Sequence, residues 1–141
     1  FYPPANANCR GEPGALPPLV VFAHGGPTSA SYPVFDPRIQ YWTQRGFAVV
    51  DVNYRGSSGF GRVYRQRLRE QWGIVDVEDT CQAARALVEQ GAVDPQRLFI
   101  RGSSAGGFTA LSALAATALF RGGASLYGVS DPLALRRVTH K

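Results

Sequence analysis

The residues best placed to do chemistry lie in Gly102-Ser103-Ser104-Ala105-Gly106. A serine hydroxyl attacks a carbonyl carbon once a base takes its proton, and the attack builds negative charge on the carbonyl oxygen. The G-x-S-x-G spacing is that of a strained strand-to-helix turn that lifts the serine clear of a sheet edge. Only Ser104 fits the register, because Arg101 stands two residues before Ser103. Gly102 and Gly106 support the turn, since it needs backbone angles and close approaches that a Cβ resists. Donors must meet the developing charge, and the N–H of Ala105, directly after the serine, is one candidate. The second is expected in the loop after the first strand, where His24-Gly25-Gly26-Pro27 stands and backbone can approach a substrate closely. The competing reading makes Ser104 a helix cap whose hydroxyl serves the first turn.

A base for Ser104 is harder to find. In this order of elements the base follows the nucleophile, so His24 is expected to hold its loop through a hydrogen bond instead. Asp131 and His140 follow in the right order, but Asp131 precedes Pro132 and reads as a helix N-cap. His140 stands one residue from the end of the sequence.

The elements that must position these residues alternate. Leu19–Ala23 is apolar without alternation, as in a strand buried on both faces. Asp36 and Pro37 open a helix to Arg45, which Gly46 stops. Phe47–Val52 is a second strand, opening into the glycine-rich stretch Asn53–Gly61, and a basic segment to Gln71 is expected to be helical. Val77, Cys81, Ala84 and Val88 mark one apolar helix face, with acids in its first turn. Leu98–Ile100 leads into the serine turn, an uncharged helix is expected from Ala105 to Phe120, and Gly123–Val129 is a fourth strand. Strands alternating with helices predict an α/β fold, a mostly parallel sheet with helices on both faces. Residues 1–18, rich in proline and glycine, form a lead-in, with Phe1-Tyr2 as the tail of a strand, and residues 19–141 form the domain. Ligands of such sheets bind beyond the carboxyl ends of the strands, where His24–Pro27, Asn53–Gly61 and Gly102–Gly107 converge.

Composition narrows the classes. With 141 residues, 45% hydrophobic and 18% charged, the chain can bury a core. It begins at Phe1 and contains no methionine, which suggests a processed chain or a fragment. The net charge of +5 includes Arg62, Arg65, Arg67 and Arg69 on one segment, but no nucleic-acid-binding motif accompanies them. They are expected on a solvated helix face or paired with Asp76, Glu78 and Asp79. Cys9 and Cys81 have neither metal spacing nor a disulfide framework, and Cys81 reads as a small buried hydrophobe. The long uncharged run after Gly102 is rich in small residues and reads as a core helix, not a membrane span. No signal peptide is visible, and a cytoplasmic location is expected.

On these residues the chain resembles the prolyl oligopeptidase family of serine peptidases, within the α/β-hydrolase superfamily. His24-Gly25-Gly26-Pro27, Asn53–Gly61, Trp72–Asp79 and Gly102–Gly107 all look like that family's blocks, most closely its acylaminoacyl-peptidase and dipeptidyl-peptidase branch. The resemblance implies Ser104 as nucleophile, Gly26 and Ala105 as oxyanion-hole donors, a peptide substrate, no metal and no organic cofactor. It also implies the N-terminal part of an α/β-hydrolase fold, a preceding β-propeller domain, and a catalytic Asp and His on loops past Lys141. Residues 1–141 alone are therefore expected not to turn over peptides. An esterase or lipase, or a silent scaffold of the same fold, are the alternatives. Arg55 is expected to pair with Asp76, Glu78 or Asp79, tying the glycine-rich loop to the following helix.

Overall fold

The structure, a computed structural model, describes residues 1–9 and 11–138. Four strands form one parallel sheet: β1 (Leu19–Ala23), β2 (Ala48–Val52), β3 (Leu98–Ser103) and β4 (Gly122–Leu126), in the order β2-β1-β3-β4. The chain steps from β1 outward to β2, then crosses back over β1 to β3. The direction of winding thus reverses between β1 and β3, the kind of crevice in which open α/β sheets bind ligands.

Both faces are covered. Helix α1 (Pro37–Thr43) places Ile39 against Val20, Phe22 and Val49 on one face. On the other, α3 (Val75–Glu89) and α4 (Ala105–Ala116) pack Val77, Cys81, Ala84, Ala110 and Ala113 against Leu19, Val21 and Ile100. Two further short helices, α2 (Gly61–Gln66) and α5 (Pro132–Val138), complete the described elements. Asp36 caps α1 as expected, its side chain accepting from the Arg38 N–H with Pro37 next to it. Tyr2 makes an isolated antiparallel bridge to Val49, so the expected strand tail is one residue pair. Among the described residues no helix is long and apolar enough to cross a membrane.

Several boundaries differ from the sequence pattern. The basic segment is helical only to Gln66, because Leu68 turns inward beneath Gly56 and Glu70 takes a positive φ of 59°. On α3 the fully buried position is Leu87, not Val88, which is only half-buried. Helix α4 ends four residues before Phe120, where β-branched Thr117 adopts extended backbone. Strand β4 stops at Leu126, since Tyr127 has φ 42°.

Candidate active site

Ser104 is the whole turn between β3 and α4. Its φ of 55° and ψ of −120° are unfavourable for a residue with a side chain, and the surroundings must hold it there. Its N–H donates to Leu126 O at 3.1 Å, and its carbonyl accepts from Gly107 and Val129 at 3.0 and 3.2 Å. The glycines make the turn possible. A Cβ on Gly102 would coincide with the Gly106 carbonyl, and one on Gly106 with the Ala23 carbonyl, 2.6 Å from His24 O. The first turn of α4 therefore rests directly on the ends of β1 and β3. Ser104 itself is exposed, and its hydroxyl makes no capping bond to α4, which removes the helix-cap reading.

One turn along, the elbow helix is pinned from below. Thr109 Oγ1 donates to Asp76 Oδ2 at 2.5 Å, with both residues fully buried, and Asp76 Oδ1 accepts from the Gly73 N–H at 2.6 Å. A buried carboxylate persists only when its oxygens are hydrogen-bonded in this way.

The loop after β1 faces the elbow. A Cβ on Gly25 would lie 3.6 Å from the Ser104 Cβ, so this backbone passes directly beside the serine. His24 holds the loop. Its ring stacks on Tyr54 at 4.2 Å, Nδ1 lies 2.7 Å from Gly25 O, and Nε2 lies 2.7 Å from Ser57 Oγ. Tyr54 OH returns a bond to His24 O at 2.9 Å. Gly25 O can only accept, and Ser57 Oγ also lies 2.7 Å from Tyr54 O, so the single Ser57 hydroxyl proton is shared between His24 Nε2 and that carbonyl. Burial depresses the His24 pKa below the usual histidine range, opposed by the Gly25 carbonyl and by the charge of Asp51. Neutral imidazole is the form at neutral pH.

The elements bring together Ser104, Ala105, Gly25, Gly26, His24, Gly102 and Gly106, all at the carboxyl ends of β1 and β3. Gly26 is exposed with φ 122°, a conformation suited to glycine alone. Among the described residues, neither the Gly26 N–H nor the Ala105 N–H has an intramolecular acceptor. Ala105 stands at the N-terminus of a twelve-residue helix, whose dipole favours negative charge there.

Two residues do not join the group. Asp131 caps α5, its Oδ1 accepting from Leu133 and Ala134 at 2.8 and 3.0 Å. His140 lies outside the described residues. Sequence reasoning missed Ser57 and Tyr54, which fix His24, and the link from Asp76 to Thr109. The block Asn53–Gly61 was the available signal, since it follows a strand at the same sheet edge. Arg55 pairs as expected: its guanidinium reaches Asp79 at 2.8 Å and Glu78 at 2.8 Å, and its own N–H donates to Asp79 at 2.7 Å. Asp79 first and Glu78 second hold it yet more firmly protonated. Among the described residues no cluster of His, Cys, Asp and Glu could hold a metal ion.

Residues 33–141 match the prolyl oligopeptidase family. The chain is 34% identical over 128 residues to dipeptidyl aminopeptidase BIII of Pseudoxanthomonas mexicana, covering 90% of this chain and 19% of that protein. It is 38% identical over 97 residues to the acylamino-acid-releasing enzyme of Arabidopsis thaliana, covering 69% and 13%. A puromycin-hydrolyzing peptidase of Mycobacterium tuberculosis superposes with a TM-score of 0.94 at 52% identity, covering 98% of this chain and 21% of that one. The chain thus spans about a fifth or less of the length of these relatives.

Proposed function

Since the chain belongs to the prolyl oligopeptidase family, we propose that it carries the nucleophile of a serine peptidase acting on short peptides. Ser104 Oγ attacks the scissile carbonyl carbon and its proton passes to a base. The carbonyl oxygen becomes an oxyanion between the N–H groups of Gly26 and Ala105. Collapse expels the amine, which takes that proton, and leaves an ester on Ser104. Water then attacks the ester and frees the acid. His24 is a positioning residue here. By fixing the Gly25 carbonyl it fixes the Gly25–Gly26 peptide plane, whose other edge carries the Gly26 N–H. Its ring nitrogens already face Gly25 O and Ser57, and the resemblance to the family puts the base and its carboxylate partner on later loops. A β-propeller domain ahead of residue 1 limits the size of the peptides admitted.

One observation carries the proposal: an exposed serine in strained backbone, beside which the Gly25 backbone passes, with the N–H groups of Gly26 and Ala105 lacking acceptors among the described residues. The name of the puromycin-hydrolyzing relative supports a substrate with a free aminoacyl group in amide linkage. The test is on the full-length protein. A fluorophosphonate probe is expected to label Ser104 and no other residue of this stretch, and Ser104→Ala is expected to abolish both labelling and hydrolysis of aminoacyl p-nitroanilides and puromycin. Labelling that survives the substitution overturns the assignment, and turnover of p-nitrophenyl esters without amides makes the protein an esterase.

A further inference from the structure

The positive charge near the elbow is left unbalanced on one side. Arg62, Arg65, Arg67 and Arg69 are all exposed, and the acids expected for them are engaged elsewhere. Glu78 and Asp79 pair with Arg55, and Asp76 is buried against Gly73 and Thr109. Among the described residues the four make one ion pair, Arg69 with Glu70 at 3.9 Å, both side chains 84% exposed. Solvent leaves little attraction in such a pair.

Arg65 and Arg69 stand apart from the other two because they line a groove of about 440 Å³ with Pro27, Thr28 and Trp72. One wall continues the His24–Gly26 loop, whose Gly25 backbone passes beside Ser104. The opposite wall is tied to the elbow helix: Trp72 packs on Phe108 with ring centroids 5.0 Å apart, and the Phe108 N–H donates to Ser104 O at 3.3 Å. The two walls of the groove thus belong to, or pack on, the two segments that meet at Ser104. The Trp72 Nε1–H is buried with no acceptor among the described residues.

We propose that Arg65 and Arg69, in the groove between the Pro27–Thr28 turn and Trp72, bind a carboxylate of the substrate. The inference rests on the peptidase reading above and adds a preference to it. Guanidinium groups match a carboxylate in geometry as well as charge. An anion between the two cations also relieves their mutual repulsion, which the solvent-exposed Glu70 beside Arg69 does little to offset. That carboxylate belongs either to an acidic side chain or to the C-terminus of a short peptide.

The test uses the full-length enzyme and the ratio of kcat/KM for acidic over neutral peptides, so that general losses of activity cancel. One arm compares Glu with Gln at successive positions around the scissile bond, and the other compares free C-termini with amides. A ratio of about ten is expected in the arm that supplies the carboxylate, falling below about two in the doubly substituted Arg65→Gln, Arg69→Gln enzyme. Added salt lowers it, and Arg62→Gln, outside the groove, retains it. A ratio near one throughout, or one that survives the double substitution, overturns the subsite while labelled Ser104 and turnover of neutral peptides still support the peptidase. If no peptide is cleaved and Ser104 is not labelled, the peptidase reading fails instead. Calorimetric titration with the same acid and amide peptides then decides the subsite alone: a preference lost in the double variant supports it, and no preference overturns it.

Discussion

The two loops that meet at Ser104 are held by opposite means. The elbow is held by backbone pressed on backbone, with Gly102 and Gly106 letting the start of α4 rest on the ends of β1 and β3. The His24 loop is held by side chains: a stacked ring, a hydroxyl from Ser57 and a phenol from Tyr54. Backbone contact allows no intermediate state, because an added atom has nowhere to go. Side-chain bonds can be removed one at a time, and one of them ends on a group that titrates. The first loop should therefore fail all at once and the second by degrees.

The largest effect is expected on the elbow. Gly106→Val puts a branched side chain where the Ala23 and His24 carbonyls lie, and should cost roughly 3 kcal/mol or more, enough to abolish soluble folded protein. The measurements are soluble yield and thermal midpoint. Wild-type melting and activity in this variant would mean that the two loops do not differ as described.

The His24 loop should yield more gradually. His24→Phe keeps a ring on Tyr54 but loses both hydrogen bonds, so the Gly26 N–H is misaimed, not removed. Loss of a whole oxyanion donor costs about 10²–10³ in kcat, and a fall of about 30-fold in kcat, with KM little changed, is expected here. A kcat within twofold of wild type would show that His24 does not position the loop.

A smaller effect distinguishes the loops by pH. The folded-state pKa of His24 is below its unfolded value, because burial penalises the cation. Between the two values the unfolded chain binds more protons, so stability rises with pH through that window. The wild type should lose stability as pH falls below about 6.5, and His24→Phe should lack that component. An identical pH dependence of the thermal midpoint in both would remove His24 from the account.

These contrasts also explain what was legible in the sequence. The strands, their parallel arrangement and the serine turn came through, because apolar runs and G-x-S-x-G act locally. The basic segment is expected to be helical to Gln71, whereas Leu68 packs under Gly56, a contact across twelve residues of chain that no local pattern carries. The i, i+4, i+7, i+11 spacing from Val77 ends on Val88, whereas the buried face of α3 takes the three-residue step from Ala84 to Leu87 at its last turn. The partnership of His24 with Ser57 joins residues 33 apart, and no periodicity announces it. Residue types marked both loops, but only packing distinguishes how each is held.

The smallest effect is expected at Arg55, where the third side of the site is tied down. Its guanidinium reaches Asp79 and Glu78, and its backbone N–H also donates to Asp79. Arg55→Lys keeps the charge and the backbone bond but loses the fork that spans two carboxylates. Glu78 is 59% exposed, so solvent discounts its share, and a loss of about 0.5–1 kcal/mol is expected, seen as a thermal midpoint lowered by a few degrees. KM for acidic peptides should not change, because this arginine is already committed to two acids of its own chain. Among the described residues Arg65 has no ion pair and Arg69 only the solvent-exposed one with Glu70, so their replacement should do the reverse, altering substrate preference with little change in melting. If Arg55→Lys instead raised KM for acidic peptides and left the midpoint untouched, Arg55 would be the substrate-facing cation. The division between a structural and a recognising arginine would then have to be redrawn.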